Sequence, residues 1–272
     1  MSQNLRPAAV AGMFYPESPS VLAHEVGALL SAASQGNKGE AKRPKAIIAP
    51  HAGYIYSGPI AAGVYAPLAG LRGIVHRVVL LGPTHRVAVK GLALPSSAAF
   101  VTPLGVIPVD GQAIARIEDL PQVVTSDAAH ALEHSLEVQL PFLQAVLGDF
   151  SLLPLAVGDA SAAEVAEVLE RLWGGDETLI VISSDLSHYL SYDAARQRDA
   201  TTAARILALD PHIDHQQACG ATPVNGLLLA ARHHGLQAQQ VDLRNSGDTA
   251  GDKSRVVGYG AFTFSAGGNH VD

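Results

Sequence analysis

Histidine and aspartate residues follow three short apolar segments at the point where each segment ends. His51 follows AIIAP and His85 follows VVLLGPT. Asp185 follows LIVISS, and His188 lies three residues further on. Short continuous apolar runs are typical of strands that are buried on both faces of a sheet, and open α/β sheets bind ligands at the carboxyl ends of such strands. The sequence therefore predicts that three strands deliver these titratable side chains to one edge of a sheet.

Neutral imidazoles that converge at one edge can bind a transition metal such as zinc, iron or copper. The sequence has neither an HExxH motif nor paired CxxC motifs, so a third ligand must come from elsewhere. Cys219 is the strongest candidate, because it precedes a helical run and a helix N-terminus favours the thiolate that binds metals. We expect His51, His85 and Cys219 to bind the metal. We expect His188, oriented by the carboxylate of Asp185, to move a proton to or from the bound group.

Each of these residues also has a purely structural explanation. Asp185 could cap a short helix, and Cys219 could pack as a small buried apolar side chain. His134 and Glu137 are one helical turn apart in EHSLE, so they could line the site behind the ligands. Acidic residues are also common at helix N-termini, which would explain the same segment without a site. We expect the remaining histidines on the surface or in loops, namely His24, His76, His130, His212, His215, His233, His234 and His270.

The elements that position these residues alternate between strand-like and helix-like patterns. The chain has 272 residues, of which 48% are apolar and 16% charged, which excludes intrinsic disorder and permits a large core. Amphipathic segments lie between the apolar runs, and one of them begins with a capping box at Ser161 and Glu164. The pattern predicts an α/β fold, a single domain with a central, largely parallel or mixed β-sheet flanked by helices.

Residues 1–272 are expected to form one domain without an internal boundary. The polar segment 31–45 is predicted to be a loop, and residues 265–272 are predicted to be a frayed tail. Pro141 lies inside a leucine stripe at helical spacing and is expected to bend that helix.

The net charge and the cysteine count limit the classes of partner and the cellular compartment that we expect. The formal net charge is −7, and no cluster of basic residues is present, which argues against nucleic acid and anionic membranes as partners. No run approaches the ~18 apolar residues of a membrane span. One cysteine cannot form a disulfide within the chain, so we expect a reducing, cytoplasmic location.

Six motifs resemble the Memo family, whose bacterial and archaeal members are called AmmeMemoRadiSam system protein B. The opening RPAAVAGMFYP at 6–16 fits the same family. The resemblance spans nearly the whole chain in order, and the six motifs together are highly specific. They are PHAGYIYSGPIAAGVYA at 50–66, LLGPTHR at 80–86, EHSLEVQLPFLQ at 133–144, SSDLSHY at 183–189, CGATPVNGLLLA at 219–230 and NSGDTAGDKSRVVGYGAF at 245–262.

The Memo family is similar in fold to the class III extradiol dioxygenases, which use non-haem Fe(II). The resemblance implies that His51 and His85 are metal ligands and that Cys219 stands where those dioxygenases place a glutamate. It also implies that His188 occupies the position of the catalytic base, with Asp185 beside it. A thiolate is softer than a carboxylate, so it suits Cu(I) or iron with an altered potential.

We therefore expect a dioxygenase-like, metal-dependent oxidoreductase that uses iron or copper, with zinc as a further possibility, and acts on an unidentified small molecule. The resemblance implies a radical SAM protein and an AMMECR1-type protein as partners. Two other classes of function stay open. One is a non-catalytic metal-binding adaptor that recognises a protein or peptide, and the other is a zinc metallohydrolase.

Overall fold

Strands and helices alternate over much of the chain in the structure, a computed structural model that describes residues 4–36 and 43–267. Short 3-10 helices at Ala66–Leu71, Glu137–Gln139 and Ser246–Asp248 supplement them. In chain order the elements are β1 (Leu5–Arg6), α1 (Pro19–Gly36), β2 (Ala46–Ala49), α2 (Tyr54–Tyr65), β3 (Arg77–Pro83), β4 (Leu92–Leu94), β5 (Ala99–Thr102), β6 (Gly105–Pro108), α3 (Gly111–Ile114), β7 (Val123–Thr125), α4 (Asp127–Ala131), α5 (Leu140–Leu147), β8 (Ser151–Val157), α6 (Ala162–Leu172), β9 (Thr178–Ser183), β10 (His188–Leu190), α7 (Tyr192–Leu207), α8 (Ala221–His233), β11 (Leu236–Asn245) and β12 (Val256–Ala266).

The central sheet is mixed, and its strands run in the order β10-β12-β2-β9-β3-β8-β4-β7, with β11 paired to β12. The four inner strands β2, β9, β3 and β8 are parallel, whereas β12 is antiparallel to β2 and β4 is antiparallel to β8. A separate small sheet contains β1, β5 and β6. The predicted fold class, an α/β single domain with a central mixed sheet and flanking helices, is confirmed.

Helices cover both faces of this sheet, which is why the inner strands are apolar over their central residues. Ile47 and Leu80 pack on one face, with apolar residues of α1, α2 and α5. Their neighbours Ile48 and Leu81 pack on the opposite face, with residues of α6 and α8. Since the faces are filled, the polar side chains of these strands lie at their ends.

Local sequence signals explain two of the helix boundaries. The capping box is confirmed at the start of α6, where the Ser161 hydroxyl accepts from the Glu164 amide and the Glu164 carboxylate accepts from the Ser161 amide. The predicted bend at Pro141 is wrong. The helix α5 begins at Leu140, so Pro141 occupies its first turn, where a missing N–H costs nothing.

The segments predicted to be a loop and a frayed tail are partly helix and strand in the structure. The helix α1 extends to Gly36, so the first six residues of the segment 31–45 are helical. Their polar side chains face outward on the helix, which is why composition alone suggested a loop. The strand β12 extends to Ala266, within the segment predicted to fray. Residues 37–42 and 268–272, and with them His270, lie outside the described residues.

His130 contradicts the assignment of the remaining histidines to the surface. It lies on α4 with 1% of its surface exposed, its Nε2 is 2.8 Å from the Ala93 carbonyl oxygen, and its ring contacts Phe100 edge-on. The others within the described ranges are exposed, as expected. In the ranges 4–36 and 43–267 no helix combines the length and apolarity needed to cross a membrane.

Candidate metal centre

The strand order brings the predicted site residues to one edge of the sheet. β9 pairs in parallel with β2 on one side and with β3 on the other. His51, Asp185 and His85 each lie two residues beyond the carboxyl end of one of these strands. The rings of His51 and His85 have their centroids 5.2 Å apart.

A third imidazole, that of His134, joins these two. One ring nitrogen from each of His51, His85 and His134 lies within 4.8 Å of the other two. His134 belongs to the connection between α4 and α5, which crosses the edge of the sheet where the Ser135 hydroxyl donates to the Pro83 carbonyl at the end of β3 (3.0 Å). The sequence suggested a supporting position for His134, but the structure places it among the possible donors.

The His51 ring is held by a buried hydrogen-bond network that fixes its tautomer. The Ser183 hydroxyl donates its proton to the Ser135 carbonyl oxygen at 2.6 Å. The Gln139 amide nitrogen donates to Ser183 Oγ at 2.8 Å, and its carbonyl oxygen accepts from Tyr65. Ser183 Oγ can therefore only accept from His51 Nδ1, which is 2.8 Å away. His51 is protonated at Nδ1, and its Nε2 lone pair faces the site.

Burial and the neighbouring imidazoles keep this ring neutral. His51 has 2% of its surface exposed. Burial, together with the nearby rings of His85 and His134, lowers the pKa of His51 well below its ordinary value. A neutral imidazole with a free Nε2 is the form that binds a metal.

Glu133 plays the same part for His85 as Ser183 plays for His51. Its carboxylate accepts from His85 Nδ1 at 2.8 Å and from the His85 backbone N–H at 2.6 Å. Burial alone would raise the pKa of Glu133, but these hydrogen bonds outweigh it and hold the pKa at about 2. The carboxylate also lies 3.4 Å from His134 Nδ1. Burial lowers the pKa of His134 to about 4, so this ring is also neutral near pH 7.

Cys219 lies beside the His51 ring. Its Sγ is 3.4 Å from His51 Nε2 and 3.6 Å from the Asp185 carbonyl oxygen. Burial raises the pKa of this thiol to about 12, so the sulfur is protonated without a metal. The next residue, Gly220, cannot carry a side chain, because a Cβ there would lie 2.7 Å from the Ser184 Cβ. Cys219 does not join the three imidazoles within their mutual spacing of 4.8 Å.

Asp185 and His188 adopt different contacts from those we expected. The Asp185 carboxylate accepts from the His51 backbone N–H at 2.8 Å, so it positions the loop that carries His51. Burial raises the pKa of Asp185 to about 6. The His188 Nδ1 lies 2.8 Å from the Leu186 carbonyl oxygen, which fixes the ring with Nδ1 protonated and leaves Nε2 to exchange protons. Leu186, rather than Asp185, thus orients the His188 ring.

Glu137 is directed away from the metal site. Its buried carboxylate pairs with Arg6 and accepts from the Tyr15 hydroxyl and the Val10 backbone N–H. These contacts tie the N-terminal segment to the 3-10 helix that contains Glu137. The alternative role suggested for Glu137, lining the site, has no support in these contacts.

Sequence reasoning missed Glu133 as a supporting residue. It precedes His134 directly, but its position in a connection rather than at a strand end gave no signal for contact with His85. Sequence reasoning likewise missed Ser183, the last residue of β9, as the partner of His51.

The fold and the site define an α/β protein with imidazoles at the ends of parallel strands and a thiol beside one of them. A sequence profile described as Memo-like protein matches residues 6–263. The chain belongs to this family, which confirms the resemblance of the six motifs.

Curated relatives agree with this assignment over nearly their whole length. A protein of Aquifex aeolicus named MEMO1 family protein is 38% identical over 96% of this chain and 99% of its own. A MEMO1 family protein of Methanopyrus kandleri is 36% identical over 96% of this chain and 99% of its own. Among solved structures, an uncharacterized protein from Escherichia coli K12 gives a TM-score of 0.49 at 14% identity, over 80% of this chain and 99% of that chain.

Proposed function

We propose that this protein is a metal-dependent oxidoreductase of the dioxygenase-like type, with iron or copper bound by His51, His85 and Cys219. The observation that carries the proposal is the pair of imidazoles whose Nδ1 atoms are hydrogen-bonded to Ser183 and Glu133. Both rings therefore offer Nε2 to the same space. Metal-binding histidines are typically held by such a partner on the other ring nitrogen.

The donor set fits a transition metal in chemistry, and the pair of Cys219 and His51 also fits in spacing. Metal–nitrogen bonds are roughly 2.0–2.1 Å and metal–sulfur bonds roughly 2.3 Å, so two donors on one tetrahedral ion lie about 3.5 Å apart. The 3.4 Å between Cys219 Sγ and His51 Nε2 is consistent with this spacing. The high pKa of the thiol means that metal binding has to displace its proton, which makes affinity depend on pH. Because the thiol has to be reduced to bind, a cytoplasmic location remains part of the proposal.

When bound, iron or copper supplies redox chemistry or Lewis-acid polarisation of a small-molecule substrate. The protein's own residues then handle protons and orientation. His188 is fixed through Nδ1 by the Leu186 carbonyl, so its Nε2 can take or give a proton at the substrate. Asp185 holds the backbone of His51 in place. Asp185 thus positions His51, whereas the sequence suggested that it orients the proposed catalytic residue His188.

His134 is the alternative to Cys219 as the third ligand, because one of its ring nitrogens lies within 4.8 Å of a ring nitrogen of His51 and of His85. Cobalt(II) separates the two, since a thiolate ligand gives an intense charge-transfer band and an imidazole does not. If Cys219 is a ligand, Cys219→Ser removes the band from the cobalt-loaded protein, and His134→Ala keeps it. If the wild type binds cobalt without this band, and His134→Ala loses cobalt while Cys219→Ser keeps it, the third ligand is His134.

The same three-imidazole group favours a zinc hydrolase as the second candidate, since three histidines are a known ligand set of catalytic zinc. Anaerobic purification followed by elemental analysis tests this directly. Iron or copper with substrate-dependent O₂ uptake supports the oxidoreductase, and zinc alone supports the hydrolase. Metal binding without turnover of any tested substrate would favour an adaptor, for which radical SAM and AMMECR1-type proteins are the partners to test.

A further inference from the structure

A second group of possible metal donors lies on the protein surface, which we call the surface triad: Glu170, His233 and His234. Glu170 is near the end of α6, His233 is the last residue of α8, and His234 follows it. The Glu170 carboxylate lies 2.9 Å from His233 Nδ1 through one oxygen and 2.9 Å from His234 Nε2 through the other. One donor atom from each residue lies within 4.8 Å of the other two.

The His234 ring is held in place by packing that does not involve the other two donors. It stacks on the Trp173 indole with centroids 3.8 Å apart and planes 5° apart. The Lys45 ammonium group lies 5.6 Å from the centroid of the same indole. Lys45 is itself anchored, because it donates to the Gly175 and Thr178 carbonyl oxygens at 2.8 and 2.9 Å. The ring is therefore preorganised, which reduces the entropy lost when it binds an ion.

We propose that the surface triad binds a divalent transition ion, with Zn²⁺ as the expected occupant, independently of the centre at the strand ends. Two imidazoles and one carboxylate are a common donor set for zinc. The side chains of His233, His234 and Glu170 are 71%, 29% and 34% exposed, so an ion can enter from solvent and keep a water ligand. Bound there, the ion would join the C-terminal ends of α6 and α8.

The protein carries its own reporter for this site, because Trp173 is its only tryptophan and it stacks on His234. We would titrate Zn²⁺ into metal-free His51→Ala protein, which lacks the first imidazole of the other centre, and follow tryptophan fluorescence. A saturable change with one ion per chain is expected. Because this variant removes a ligand of the proposed catalytic centre, the readout does not depend on the proposed function.

Glu170→Gln and His233→Ala, each made in the same background, should weaken the Zn²⁺ affinity at least tenfold and reduce the rise in melting temperature that Zn²⁺ produces. The matched control is His212→Ala, which removes another exposed histidine paired with a single carboxylate, that of Asp210. This control should bind Zn²⁺ like its parent. Unchanged tryptophan fluorescence in the parent, or equal Zn²⁺ affinity in Glu170→Gln and the parent, would overturn the proposal.

Discussion

The Ser183 hydroxyl allows a direct test of how the protein fixes the tautomer of His51 for metal binding. Ser183→Ala removes the acceptor of the His51 Nδ1 proton with little change in volume. Without that acceptor the proton can move to Nε2, where it blocks the metal. Removing such a partner typically costs 10- to 100-fold in metal affinity, or about 1.4–2.8 kcal/mol. We expect Ser183→Ala to weaken iron or copper binding within this range.

The same substitution has a separate cost to folding. The Ser135 carbonyl loses its donor, whereas the Gln139 amide keeps the Pro50 carbonyl oxygen at 3.0 Å. An unsatisfied buried group costs about 1–3 kcal/mol, so urea unfolding of the metal-free protein should report a loss of that size. Competition against a chromophoric chelator measures the affinity.

A suitable control is Ser151→Ala, at the amino end of β8. The acceptors that lose its hydroxyl are the Asp110 carboxylate (2.9 Å) and the His76 carbonyl oxygen (3.1 Å). This variant should lose some stability and keep the metal affinity of the wild type. If Ser183→Ala loses stability but binds metal as tightly as Ser151→Ala, the tautomer argument is wrong and Ser183 is purely structural.

Three further predictions concern stability. Gly220→Ala should cost about 1–3 kcal/mol in urea unfolding, because the new Cβ would lie 2.7 Å from the Ser184 Cβ. Arg6→Ala should cost about 3–5 kcal/mol in the same assay, since it leaves the buried Glu137 carboxylate without its charge partner. Burial lowers the pKa of His130 to about 4. Between pH 6.5 and pH 4 this histidine is therefore protonated in the unfolded chain but not in the folded protein. The folded state should therefore lose up to about 3 kcal/mol as pH falls from 6.5 to 4, and His130→Gln should show a shallower pH dependence of unfolding.

The pattern of apolar residues in the sequence predicts most of the fold and part of the site. Apolar runs buried on both faces predict inner parallel strands, and the ends of parallel strands meet at one edge. That reasoning placed His51, His85 and Asp185 together without any knowledge of strand order. The order itself, with β9 between β2 and β3, comes from long-range pairing that no local pattern records.

The rest of the site depends on connections, which have no periodicity. His134 reaches the site because a hydrogen bond from Ser135 ties its segment to the end of β3. The orientation of His188 depends on a backbone carbonyl two residues earlier, which a sequence cannot reveal. Asp185 was expected to face an imidazole, but its carboxylate is taken by backbone N–H donors instead.

The metal content of His51→Ala and His85→Ala tests the central claim most directly. Wild-type protein, both variants and the His212→Ala control are purified anaerobically and analysed for iron and copper by mass spectrometry. The account predicts iron or copper in the wild type and the control, and loss of most of that metal in both variants, with all four folded by circular dichroism. Folded variants that retain the iron and copper content of the wild type would contradict it.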